Sequence, residues 1–142
     1  MTRALSHVAY VDDDLDILTI AEIGLTTAGG INTALIHGPG LALEQLVRAA
    51  PDLILLDVMM PGTDGPTLLQ AIHRHPLLAR TPVIFMTARV QPRELAHYMA
   101  LGAIGVISKP FDVMTLADDV RRIWGDWNNG DGAKERTSRE RA

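Results

Sequence analysis

LILLDVMMPGTDG, residues 53–65, runs through four aliphatic side chains, Leu53 to Leu56, before its first charge at Asp57. A run that is apolar at every position, not at every second one, suits a parallel strand covered on both faces. Asp64-Gly65-Pro66 then carries a helix start, with a capping acid and a proline in the first turn. The segment therefore reads as one βα unit with an acid at the mouth of its loop. Working outward, four more apolar runs appear: Val8–Val11, Ile31–Ile36, Val83–Met86 and Gly105–Ile107. The stretches between them have room for one helix and two loops each time, the repeat of a doubly wound α/β sheet. Asn32 and Thr33 dilute the second run and place it at a sheet edge.

Each gap carries helix signals. Ile17, Ala21, Leu25 and Ala28 form an apolar stripe closed by Gly29-Gly30. Pro39 marks the next start, with Ala42, Leu43, Leu46, Val47 and Ala50 inward. The third helix buries Leu68, Leu69 and Ile72 and stops before Pro76. The fourth follows Pro92, turns Leu95 and Met99 inward and ends at Gly102. The fifth starts at Asp112 and carries Leu116, Val120, Ile123 and Trp124. Residues 1–125 thus form one domain. Residues 126–142 hold one aromatic, no aliphatic core residue and four acids against four bases, and read as a disordered tail.

Composition narrows the function classes. With 142 residues, 47% of them hydrophobic, and net charge −4, the chain is a globular domain and not a basic nucleic-acid binder. No apolar run is long enough to span a bilayer, and the N-terminus lacks the apolar core of a secretory signal. Neither nucleic acid nor membrane is an expected partner, and a cytoplasmic location is expected. The chain has no cysteine, which removes disulfides, thiolate metal sites and cysteine nucleophiles.

The chemistry collects where polar residues interrupt the apolar runs. Strand one ends in Asp12-Asp13-Asp14, strand three in Asp57, strand four in Thr87, and strand five in Ser108-Lys109-Pro110. All four lie at carboxyl ends, which converge on one crevice in an open α/β sheet. If the first and third strands are neighbours, Asp12, Asp13 and Asp57 meet there. Three close carboxylates cannot all stay ionised without a cation, and oxygen-only ligands suit Mg²⁺. Each acid also has a plainer role as a helix cap or solvated strand end, and Asp14 is assigned the cap. Up to Gly125 the chain has eight arginines and one lysine, Lys109. A compact ammonium at a strand end suits a phosphate partner.

VDDD after strand one, LILLDVMMPGTDG around strand three, FMTA at strand four and SKPF at strand five together resemble the receiver domain of two-component response regulators. The resemblance covers roughly residues 6–124. It implies a flavodoxin-like (βα)5 fold with strand order 2-1-3-4-5, and a phosphoryl group accepted on Asp57 from a histidine kinase or phosphotransfer protein. It further implies Mg²⁺ held by Asp13, Asp57 and the main-chain carbonyl of Met59, with Asp12 acting through water. Thr87 and Lys109 would contact phosphoryl oxygens, and Lys109–Pro110 would be cis. Enzymology would be limited to self-phosphorylation and self-dephosphorylation, and output would pass to a downstream protein target.

One position departs from the family pattern. Relatives place Tyr or Phe three residues before the lysine, and here Val106 stands there. Other readings are a phosphate sink and a degenerate, phosphate-independent interaction module, the latter opposed by the intact acid, threonine and lysine set. An aspartyl-phosphate phosphatase wants a second Asp two residues after the nucleophile, where this chain has Met59. A flavin site wants a Ser/Thr-rich loop after strand one, where there are three acids. His73 and His75 lie two apart on different faces near a helix end, which does not suit a metal pair, and His7, His37 and His97 have no partner at ligand spacing.

Overall fold

The computed structural model describes residues 4–88 and 90–129. Five parallel strands, β1 (His7–Asp12), β2 (Asn32–His37), β3 (Leu53–Asp57), β4 (Val83–Thr87) and β5 (Gly105–Ser108), form one sheet in the order β2-β1-β3-β4-β5. The expected doubly wound topology is present, with β2 at one edge. Its half-polar sequence fits that place, because only its Ile36 is buried.

Alternation along the strands sorts the core into two layers. Ile54 and Leu56 join Ala9, Val11, Val83 and Phe85 under α2 (Ala42–Ala49), α3 (Gly65–Arg74) and α4 (Pro92–Ala100). Leu53 and Leu55 join Val8, Tyr10, Ile84, Met86 and Ile107 under α1 (Leu15–Glu22) and α5 (Leu116–Asn129). Every residue of β3 and β4 is buried, as a strand with helices on both faces requires.

The caps follow the sequence signals. Asp14 accepts from the amides of Asp16 and Ile17, and Asp64 from that of Thr67 at 2.8 Å. Asp112, the expected start of the fifth helix, instead accepts from the Met114 amide at 2.8 Å and closes a turn, and α5 begins at Leu116.

Four details differ from the sequence reading. After α1 the chain winds on as a π-helix, Ile23–Ala28, whose wider turn carries Ala28 to the surface. Leu18, Ala21 and Leu25 form the buried stripe instead. Ala50 is exposed, because it ends α2 in the left-handed conformation at φ 47°. On α4 the buried residue is Tyr98, while Leu95 and Met99 are 39% and 43% exposed. Finally, α5 continues past Gly125 to Asn129, with Trp127 half-buried, so residues 126–129 are helical and not tail. The rest of the expected tail, residues 130–142, lies outside the described residues. Among the described residues, no helix is long and apolar enough to cross a membrane.

Two glycines are fixed by close approach. A methyl at Gly105 would lie 2.7 Å from the Ile123 side chain, so β5 and α5 touch there. A methyl at Gly65 would lie 2.5 Å from the Asp57 carbonyl oxygen. Gly65 also donates its amide to the Val58 carbonyl at 2.8 Å, which draws the start of α3 against the end of β3. Gly65→Ala should therefore push the Asp57 loop outward and cost about 1–3 kcal/mol, as overpacking usually does. A fall in the urea midpoint would show this, and an unchanged midpoint would contradict it.

Candidate functional site

At the carboxyl end of β1 the three consecutive acids divide their work. Asp14 turns away to cap α1, while Asp12 is fully buried and Asp13 half-buried. Asp12 has donors on both oxygens: the Asp14 amide on Oδ1 and the Tyr10 hydroxyl on Oδ2, each at 3.0 Å. Asp57 ends the neighbouring β3 and is 2% exposed. Because β1 and β3 pair directly, Asp12, Asp13 and Asp57 each offer a carboxylate oxygen within 4.8 Å of the others.

Lys109 reaches into this cluster from the end of β5. Its Nζ lies 2.7 Å from Asp57 Oδ1 and 3.3 Å from Asp12 Oδ2, with the side chain 18% exposed. Its amide donates to the Thr87 carbonyl at 2.8 Å, which ties the ends of β4 and β5 together beside the acids. Thr87 is buried there, one residue beyond the Met86 that pairs with Asp57. The Lys109–Pro110 bond is cis, as expected, and Gly38–Pro39 is cis as well. Met59 follows with its side chain exposed and its amide hydrogen-bonded to Asp57.

The electrostatics are unbalanced, three carboxylates facing one ammonium. Burial pushes the Asp57 carboxyl up to about 6 from its ordinary 3.8; the Lys109 hydrogen bond opposes this and the Asp12 charge adds to it. Burial works against the Lys109 ammonium too, but the hydrogen bond to Asp57 and the charge of Asp12 outweigh it and raise its pKa. Tyr10 is raised above its ordinary value by burial and by Asp12, so its hydroxyl stays a donor. Such a cluster lacks positive charge. An oxygen-only donor set short of cation fits a hard divalent ion.

This arrangement accompanies a match, over residues 8–121, to the response regulator receiver domain family. The chain belongs to that family. Its place is that of a phosphoacceptor domain in two-component signalling. The transcriptional regulatory protein CseB of Streptomyces coelicolor is 33% identical over 138 residues, covering 92% of this chain and 57% of that protein. The DNA-binding transcriptional regulator NtrC of Escherichia coli K12 is 40% identical over 107 residues, 75% of this chain and 22% of that protein. This receiver therefore spans only part of the length of these curated relatives. Among solved structures, the chemotaxis response regulator CheY4 of Vibrio cholerae is 28% identical with a TM-score of 0.76, covering 84% of this chain and 99% of that one. Receiver domains hold Mg²⁺ at an acidic pocket, and this receiver has an acid cluster of that kind.

Two residues at the site were not assigned from the sequence. Tyr10 sits two residues before Asp12 on the same face of β1, so the period of two would have found it. His37 has its Nε2 2.9 Å from the Asp13 main-chain carbonyl, where it braces the β1–α1 loop without being a ligand.

Proposed function

We propose that Asp57 is the phosphoacceptor, taking a phosphoryl group from the histidine of a kinase or phosphotransfer protein and passing the signal to a protein target. The observation that carries this reading is the Lys109 ammonium 2.7 Å from a buried, under-neutralised Asp57 carboxylate. In the transfer an Asp57 oxygen attacks phosphorus in line, the bond from phosphorus to the histidine nitrogen breaks, and that nitrogen keeps the bonding pair. The new bond is an acyl phosphate.

Asp13 and Asp57, with the Met59 main-chain carbonyl, would hold Mg²⁺, and Asp12 would reach it through water. When bound, Mg²⁺ neutralises charge on the transferring oxygens. Lys109 swings its ammonium from Asp12 toward one phosphoryl oxygen, and the Thr87 hydroxyl donates to another. No separate general base is needed, because Asp57 attacks as the ionised carboxylate. Its only catalytic turnover would be its own phosphorylation and dephosphorylation.

Incubation with acetyl phosphate and Mg²⁺ should add one phosphoryl group by intact-mass analysis. The group should be absent in Asp57→Asn and after chelation. Equal labelling of the Asn variant would sink the assignment.

A further inference from the structure

We infer that Tyr10 is a positioning residue of this site, holding Asp12 so that Lys109 can leave it for the phosphoryl group. The inference rests on the reading of Asp57 as phosphoacceptor beside a Mg²⁺ site. Tyr10 is fully buried, and the hydrophobic residues packed with it on that face of the sheet, Val8, Leu53, Leu55, Ile84, Met86 and Ile107, are aliphatic or methionine, with the acids Asp12 and Asp57 at the carboxyl end of the same face. Phenylalanine would fill the same volume without burying a hydroxyl, which is costly when unpaired. Among the described residues, the hydroxyl's hydrogen bond is the one to Asp12 Oδ2, at 3.0 Å.

That oxygen is the one Lys109 also touches, at 3.3 Å. Tyr10 and Lys109 thus share a single buried acceptor. Before transfer, Asp12 Oδ2 has two donors, and Lys109 is bound more closely to Asp57, at 2.7 Å. Once Lys109 turns to a phosphoryl oxygen, the tyrosine hydroxyl is the donor left on Oδ2. Without it, Lys109 would be the sole protein donor to that buried carboxylate oxygen, and moving it would leave Oδ2 short of a fixed donor. An unsatisfied buried acceptor is the expensive outcome. Tyr10 therefore lowers the cost of the lysine's movement while touching neither phosphoryl group nor metal.

The test compares beryllofluoride, a phosphoryl mimic that needs Lys109 to move, with Mg²⁺ alone, which does not. By calorimetry, Tyr10→Phe should weaken beryllofluoride binding at saturating Mg²⁺ by about tenfold, the loss of one hydrogen bond to a charged group. Its Mg²⁺ affinity should stay within about twofold, and its metal-free melting temperature should fall only modestly, because the ring is kept and Lys109 still donates to Asp12 Oδ2. In an Asp12→Asn background the same substitution should change beryllofluoride affinity by less than about twofold, since no buried charge remains to be stranded. Equal beryllofluoride affinity in wild type and Tyr10→Phe would overturn the inference. A tenfold loss that persists in the Asp12→Asn background would also overturn it, by showing a structural role for the ring hydroxyl. If wild type binds no beryllofluoride, the phosphoacceptor reading itself falls, and the inference with it.

Discussion

Metal-free receiver should gain stability as pH falls from 7 toward 4, relative to its Asp57→Asn variant. Most domains lose stability in acid because paired carboxylates are protonated. Asp57 works the other way. Burial lifts its pKa to about 6 against an ordinary 3.8, so between those values the folded state binds a proton that the unfolded state has released. Stability then falls as pH rises through this window, and above it the folded protein carries the full cost of a crowded, ionised carboxylate. A displacement from 3.8 to about 6 corresponds to about 3 kcal/mol. Other groups have their own slopes. Half-buried His73, whose pKa is lowered by burial, removes stability as pH falls through its ordinary value, and the Asp64 cap loses its contribution only below about pH 4. The difference between wild type and Asp57→Asn cancels both.

Urea melts at several pH values would therefore show the Asn variant more stable at pH 7, with the two converging toward pH 4. Mg²⁺ should stabilise wild type most at pH 7, where Asp57 is ionised, and far less at pH 5. Parallel curves for the two proteins would contradict the assigned charge imbalance. This result also bears on function: a carboxylate that is costly in the resting state is one whose charge a bound cation relieves.

The site was readable in the sequence because its parts are strand ends. Apolar runs fix where the strands stop, and β1, β3 and β4 stop at Asp12, Asp57 and Thr87, with Lys109 one residue past the end of β5. Once the strand order sets β1 beside β3, the acids meet without further information. Contacts that run sideways from the site were not readable in the same way. His37 meets a main-chain carbonyl across the β1–β2 pair, and no side-chain spacing encodes that. Strand alternation puts Tyr10 on the face of Asp12, but an aromatic in a buried strand already has a sufficient reason to be there, so nothing marked its hydroxyl as that acid's donor. The helix faces fared unevenly. Leu46 and Ile72 fell where the period put them, whereas the π-helical turn after α1 altered the period itself and turned Ala28 out.

The α4 face shows a third kind of failure, and it leads to the largest stability effect expected here. Counting by helical spacing selected Leu95 and Met99, yet the helix is anchored by Tyr98, which is 8% exposed. The reason lies in the sheet. Phe85 of β4 pairs in register with Val106 of β5, the position where the resemblance implies a ring. A small side chain there leaves the Phe85 face open to another aromatic, and Tyr98 takes it with ring centroids 5.1 Å apart and planes tilted by 55°. The aromatic contact near the end of β4 is thus supplied from the helix and not from β5. Tyr98→Ala should remove it along with the one side chain of α4 that is buried, at a cost of about 3–5 kcal/mol. Leu95→Ala and Met99→Ala, both about two-fifths exposed, should each cost less than about 1 kcal/mol. Hydrogen exchange of the Tyr98 variant should rise most in α4, residues 92–100, and little in α3, which keeps Leu68, Leu69 and Ile72 in the core. If Leu95→Ala proves as damaging as Tyr98→Ala, or if α3 and α4 open together, then α4 is not hinged on the Phe85–Tyr98 pair.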